Sequence, residues 1–178
     1  MDPGKKGVHM VERVLPGVMP KQARGWARSL IACLVVGAAI AWSTSILAMT
    51  RFYGSEGTLL RFTNIGVPNP MITPCFWGAV AFLVALGSAA FLYSRIGHAN
   101  PVGGYRTLSW FLVACVLFGW GNVGYEWWSL NQSETGSIIG CTAGPMTSIF
   151  QSPCVYGSVM FLASLAATYV VVRKAGTL

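Results

Sequence analysis

Four apolar stretches, at 27–49, 73–93, 108–128 and 153–172, constrain this chain more than any other feature of its sequence. Each approaches the roughly 20 residues that span about 30 Å of hydrocarbon as an α-helix. Of the 178 residues, 54% are apolar and 10% charged, well short of the roughly 25% charged residues of an average soluble domain. A mean hydropathy of +0.58 implies more apolar surface than a soluble monomer of this size hides, so the bilayer has to cover it. The expected fold class is an all-α integral membrane protein with four transmembrane helices in a bundle.

Charge orients those helices. The net charge of +7 sits at membrane edges rather than over one face, which argues against a nucleic-acid partner. Lys5, Lys6, Arg13, Lys21, Arg24 and Arg28 precede the first stretch, Arg95 and Arg106 lie between the second and third, and Arg173 and Lys174 follow the fourth. Ten of the twelve basic residues therefore share a side with both termini, leaving Arg51 and Arg61 opposite. By the positive-inside rule both termini are cytoplasmic, and the basic tail meets anionic lipid headgroups. A signal peptide is the competing reading of the first stretch. Its long basic lead, long apolar run and the poor cleavage site Leu47-Ala48-Met49-Thr50 favour an uncleaved helix. The expected location is a bacterial inner (plasma) membrane.

An internal repeat organises the chain. Thr73-Pro74-Cys75-Phe76-Trp77-Gly78-Ala79-Val80-Ala81-Phe82-Leu83 resembles Ser152-Pro153-Cys154-Val155-Tyr156-Gly157-Ser158-Val159-Met160-Phe161-Leu162 at an offset of 79. Leu30-Ile31-Ala32-Cys33-Leu34-Val35-Val36-Gly37 matches Leu112-Val113-Ala114-Cys115-Val116-Leu117-Phe118-Gly119 at an offset of 82. Apolar helices resemble one another by composition, but a repeated Pro-Cys-x-x-Gly is not what composition supplies. The expectation is a basic N-terminal segment at 1–26, two tandem parallel two-helix repeats at 27–94 and 108–174, a cytoplasmic loop at 95–107 and a tail at 175–178. Small residues (Gly37 with Ala41, Ala85 with Ala89, and Gly119, Gly121 and Gly124) are expected to let helices approach. Trp77, Trp127, Trp128 and Tyr156 near the outer boundary, and Trp26, Tyr93 and Tyr105 near the inner one, read as interfacial anchors.

The repeated Pro-Cys pairs carry the most chemistry. Proline suits the first position of a helix, which puts Cys75 and Cys154 in the first turn. Unpaired amides there favour a thiolate, hence nucleophilicity or soft-metal affinity. Cys141 is a third outer cysteine without a counterpart in the first repeat. A structural disulfide is the plainest expectation, Cys141 with Cys154 closing a short loop or Cys75 with Cys154 bridging the bundle; a redox or metal role for the three is the alternative. Met71 and Met146 are weak additional donors for Cu(I), more often packing residues. Cys33 and Cys115, inside helices, read as packing residues too.

Asn122 and Glu126, one turn apart near the outer end of the third helix, form a polar pair on one face. An ionisable group at membrane depth is a functional candidate, although so close to the polar loop Glu126 is expected to reach water at the interface. Ser43, Thr44 and Ser45 are expected to hydrogen-bond to backbone or neighbouring helices. Val67-Pro68-Asn69-Pro70-Met71 and Gly144-Pro145-Met146 are stiff leads into the second and fourth helices. Asn131-Gln132-Ser133 is a glycosylation sequon, meaningful only in a eukaryotic secretory pathway. His9 and His98 lie on the cytoplasmic side, away from the outer thiols.

No Cys-x-x-Cys, Walker loop, dinucleotide fingerprint or His-Glu-x-x-His occurs, and no pattern identifies a cofactor. Four helices with outer cysteines resemble, in topology alone, the quinone-linked disulfide-generating membrane oxidoreductases and the vitamin K epoxide reductases. Both families depend on a vicinal Cys-x-x-Cys that this sequence lacks, so no residue role carries over. The sequence thus leads one to expect a non-catalytic accessory or assembly subunit with membrane-protein partners or a second copy of itself. The alternatives are a transporter or binding protein for a small solute or soft metal, and a thiol–disulfide oxidoreductase.

Overall fold

The computed structural model describes residues 21–57, 69–96, 102–140 and 144–176. Lys5, Lys6, His9, Arg13, Arg61, His98 and Cys141 lie outside them. Four helices, α1 (Lys21–Glu56), α2 (Pro74–Ser94), α3 (Val102–Gln132) and α4 (Pro153–Gly176), are long and apolar enough to cross a membrane. With 36 residues, α1 is roughly 54 Å long at 1.5 Å per residue, well beyond the hydrocarbon thickness. It therefore projects past the apolar stretch at both ends. Helix α3 likewise begins at Val102 and continues to Gln132, because intrahelical hydrogen bonding does not stop where lipid does. That takes residues 102–107 of the expected cytoplasmic loop into the helix.

Side-chain contacts give the helix directions. Along α1, Arg28 Nε donates to the Tyr93 hydroxyl at 2.9 Å, Gly37 lies against Phe82, and Trp42 meets the edge of Phe76 with centroids 6.1 Å apart. The partners descend α2 as α1 ascends, so the two are antiparallel. Gly119 against Ser158 and, further along α3, Glu126 with Ser152 give the same relation for α3–α4, and Gly104 against Leu92, with Phe111 and Val84 along the same groove, fits it for α2–α3. The bundle runs up-down-up-down, and its parallel diagonal pair, α2 and α4, touches in the middle.

Core positions recur with helical period. Ala23, Ala27, Leu30 and Leu34 on α1 face Ala85 and Ala89 on α2, Leu108, Leu112 and Cys115 on α3, and Ala167 and Val171 on α4 within one buried cluster. At its centre Phe82 and Phe161 stack, with centroids 3.8 Å apart and planes 6° from parallel. They are related by the offset that joins the Pro-Cys units. Gly37 and Gly119 are close-approach sites: a Cβ at either would overlap the Phe82 ring or the Ser158 hydroxyl. Gly121 and Gly124 have open space instead, so of the four glycines expected to bring helices together Gly37 and Gly119 do so. Ser43, Thr44 and Ser45 return their hydroxyls to carbonyls one turn back.

The outward faces carry Trp110, Leu117, Trp77, Trp127, Trp128 and Tyr156, all exposed, as helices surrounded by lipid require. Tyr105 departs from the anchoring expectation. It is fully buried, with a hydroxyl that has no hydrogen-bond partner among the described residues.

Candidate functional site

The site lies at the end of the bundle where α2 and α4 begin, opposite the start of α1. A 3₁₀ turn precedes each helix, Pro70–Ile72 before α2 and Ile149–Gln151 before α4, again 79 residues apart. Their local bonding corresponds. Asn69 Oδ1 accepts from the Met71 amide at 2.9 Å, as Ser148 Oγ accepts from the Phe150 amide at 3.4 Å. The Thr73 amide donates to the Pro70 carbonyl at 3.2 Å, as the Ser152 amide donates to Ile149 at 3.0 Å. Proline then opens each helix, fixing φ where no amide hydrogen is needed. Cys75 and Cys154 follow as second residues.

Because α2 and α4 run parallel and touch across the bundle diagonal, these two helix starts meet. The Cys75 and Cys154 sulfurs are 3.1 Å apart, a thiol contact rather than the roughly 2.05 Å of a disulfide. No disulfide joins cysteines among the described residues. The expected pairing of Cys75 with Cys154 has its sulfurs within reach, whereas that of Cys141 with Cys154 falls outside the described residues. Cys115 is buried in the core cluster, as expected of a packing residue.

The two units differ at the residue before proline. Ser152, fully buried, accepts from the Cys154 amide at 3.2 Å and donates its hydroxyl to Glu126 Oε2. Thr73 instead turns its hydroxyl onto the Pro70 carbonyl at 2.7 Å and does not cap α2. Glu126 is 8% exposed. Rather than reaching water at the interface, its carboxylate is held between α3 and the start of α4. A buried carboxylate is costly unless hydrogen-bonded, and Ser152 supplies one such bond. Sequence reading overlooked Ser152, although a serine before proline is a recognisable helix-capping signal.

Two spaces adjoin the thiols. A cavity of about 40 Å³ is lined by Cys75, Cys154, Gly78, Gly157, Phe82 and Phe161, among others. Beside it opens a cleft of about 400 Å³ with Thr73, Pro74, Asn122, Tyr125, Glu126 and Ser129 along its walls. Its rim is Ile138, Ile139 and Gly140. That rim is a small hairpin unforeseen from sequence, β1 (Ile138–Ile139) pairing antiparallel with β2 (Pro145–Met146). Pro74 and Asn122 border both spaces. The Asn122 amide also donates to the Phe118 carbonyl at 2.7 Å.

The methionines are elsewhere. Met146 is buried in the hairpin beside Gly140, Met71 is exposed, and neither lines the thiol cavity. No group of three or more His, Cys, Asp or Glu residues suited to a metal occurs among the described residues. What the arrangement offers chemically is a pair of thiols about 1 Å from bonding distance, with a carboxylate-lined cleft alongside. No family model, curated protein or solved structure matches the chain.

Proposed function

We propose that this protein is a membrane thiol–disulfide oxidoreductase whose working pair is Cys75 and Cys154. The observation that carries the reading is their 3.1 Å separation across the bundle. Two cysteines 79 residues apart can then interconvert between dithiol and disulfide with little helix movement. Both sulfurs also stand in the first turn of a helix, at the same end of the bundle. One thiolate attacks a substrate disulfide, forming a mixed disulfide and expelling one substrate thiolate. The second sulfur then attacks the first, closing the Cys75–Cys154 disulfide and expelling the other substrate thiolate. Two electrons pass to the substrate, and the two cysteine protons end on its two thiols. Run backwards, a dithiol substrate is oxidised.

The same reading gives the chain two tandem parallel hairpin repeats with cytoplasmic termini and the thiol pair at the outer surface of a bacterial inner membrane. Ten of twelve basic residues on the terminal side support that orientation. The contacts Cys75–Cys154 and Phe82–Phe161 support the repeat, since equivalent residues touch only on a twofold axis. Cys141, also on the outer side, is the third thiol through which a mixed disulfide can be relayed. We place this reading above an accessory subunit, for which the lack of a catalytic constellation was the argument. We place it above a soft-metal carrier because linear Cu(I) wants its two sulfurs farther apart than 3.1 Å.

Alkylation mass spectrometry of the detergent-solubilised protein tests the proposal. Mild oxidant is expected to yield a Cys75–Cys154 cross-linked peptide that dithiothreitol reverses, and Cys75→Ala or Cys154→Ala should slow reduction of a model disulfide about 100-fold or more. Thiols that stay unlinked under oxidant and unlabelled under reductant would sink the reading.

A further inference from the structure

The cleft beside the thiols does not serve the two alike. Its walls include Ile72, Thr73 and Pro74, the three residues that lead into Cys75, whereas Ser152 and Pro153, which lead into Cys154, do not line it. At about 400 Å³ it falls within the range of small-molecule sites, and Pro74 and Asn122 join it to the thiol cavity by bordering both. The repeat is uneven at the same places. Ser152 Oγ accepts from the Cys154 amide at 3.2 Å and Ser158 Oγ donates to the Cys154 carbonyl at 2.6 Å, so two side chains hold that residue's backbone. Their counterparts 79 residues earlier make neither bond: the Thr73 hydroxyl goes to the Pro70 carbonyl, and Ala79 has no hydroxyl. Ser152 is further tied to Glu126 on α3.

We propose that a substrate disulfide docks in this cleft and that Cys75 takes up its sulfur, while Cys154 resolves the mixed disulfide. The assignment rests on the oxidoreductase reading and divides its two steps between the thiols. In the first, the Cys75 sulfur attacks one substrate sulfur, the substrate S–S bond breaks, and the first substrate thiol leaves with the Cys75 proton. In the second, Cys154 attacks the Cys75 sulfur of the mixed disulfide, and the second substrate thiol leaves with the Cys154 proton as the intramolecular disulfide closes. A resolving sulfur has to stand ready about 3–3.5 Å from the atom it attacks. Cys154, on a helix start tied to α3, stands 3.1 Å from Cys75. In-line displacement also puts the leaving sulfur on the far side of Cys75 from Cys154, and the residues leading into Cys75 are those that wall the cleft. The reverse order would place the substrate on Cys154, within the thiol cavity of about 40 Å³. That is room for about three water-sized groups, too little for a disulfide with its substituents.

Limiting iodoacetamide, a small neutral alkylating reagent, tests the order in the reduced full-length protein in detergent. Peptide mapping is expected to find Cys75 alkylated about tenfold or more over Cys154, because access controls thiol reactivity. With bis(2-hydroxyethyl) disulfide, Cys154→Ser is expected to accumulate a mixed disulfide on Cys75, whereas Cys75→Ser should form one on Cys154 at least about tenfold more slowly. Ser129→Trp, on the α3 wall of the cleft, should slow the Cys75 adduct about tenfold while hydrogen peroxide, which has no need of the cleft, still closes Cys75 with Cys154. Equal labelling of the two thiols, or Cys154 ahead of Cys75, would overturn the inference and leave the oxidoreductase reading standing. So would a Ser129→Trp protein that closes under hydrogen peroxide and takes up the disulfide at the original rate. Thiols that neither exchange nor close would overturn both. The alkylation ratio in the unaltered protein decides the order even if a variant does not fold.

Discussion

Two glycines with the same chemistry have opposite surroundings here. At Gly37 an added Cβ runs into the Phe82 ring, whereas at Gly78 it meets nothing within 4 Å. Overpacking costs typically 1–3 kcal/mol, while alanine in an open helical position gains up to about 1 kcal/mol over glycine. Gly37→Ala should therefore lower the denaturation midpoint in detergent, and Gly78→Ala should leave it unchanged or raise it. A reversed order would mean that Phe82 moves away freely. Residue-level patterns carry part of this: Gly37 and Gly119 are readable from sequence as small residues that let helices approach, whereas Gly121 and Gly124, alike in sequence, face open space. Glu126 was legible as an ionisable group near a membrane boundary, but not as a buried one. Its burial depends on Ser152, 26 residues away, and no local pattern encodes that contact.

The start of α4 depends on Ser152 twice, as the oxygen that caps the Cys154 amide and as the hydroxyl that satisfies Glu126. Ser152→Ala removes both bonds and leaves the carboxylate short of one buried donor. A cap alone is worth about 1 kcal/mol and a hydrogen bond to a charged group about 1.5–3 kcal/mol, so the variant should lose roughly 2–4 kcal/mol of stability. Thr73→Ala, at the corresponding place before α2, loses only a hydroxyl bond to its own turn, and about 1 kcal/mol is expected. Unfolding of both variants in one detergent, with losses compared, checks this. Equal losses would mean that the Glu126 contact contributes nothing. Helices with these starts were readable from sequence because proline marks the first position and apolar length does the rest. The hairpin Ile138–Ile139 with Pro145–Met146 was not, since two-residue strands are held by the loop around them rather than by alternation.

Across the whole bundle the diagonal contact matters most. Four helices around an axis can leave a channel or close it, and here the stacked rings of Phe82 and Phe161 close it directly beneath the thiols. In a membrane the transfer of apolar groups from water does not drive helices together, so the ring pair contributes through packing alone. Truncating either ring should thus cost less than the 3–5 kcal/mol typical of a soluble core, roughly 1–3 kcal/mol. Because each single truncation already destroys the stack, the double variant Phe82→Ala with Phe161→Ala should lose about 0.5–1.5 kcal/mol less than the sum. The same loosening should reach the thiols, since both rings line the cavity that holds them. Oxidative closure of Cys75 with Cys154 is then expected to slow in either single variant and little further in the double one. Additive stability losses with unchanged closure would mean that α2 and α4 are held in register by α1 and α3 alone, and that the axis is a consequence of the bundle rather than one of its supports.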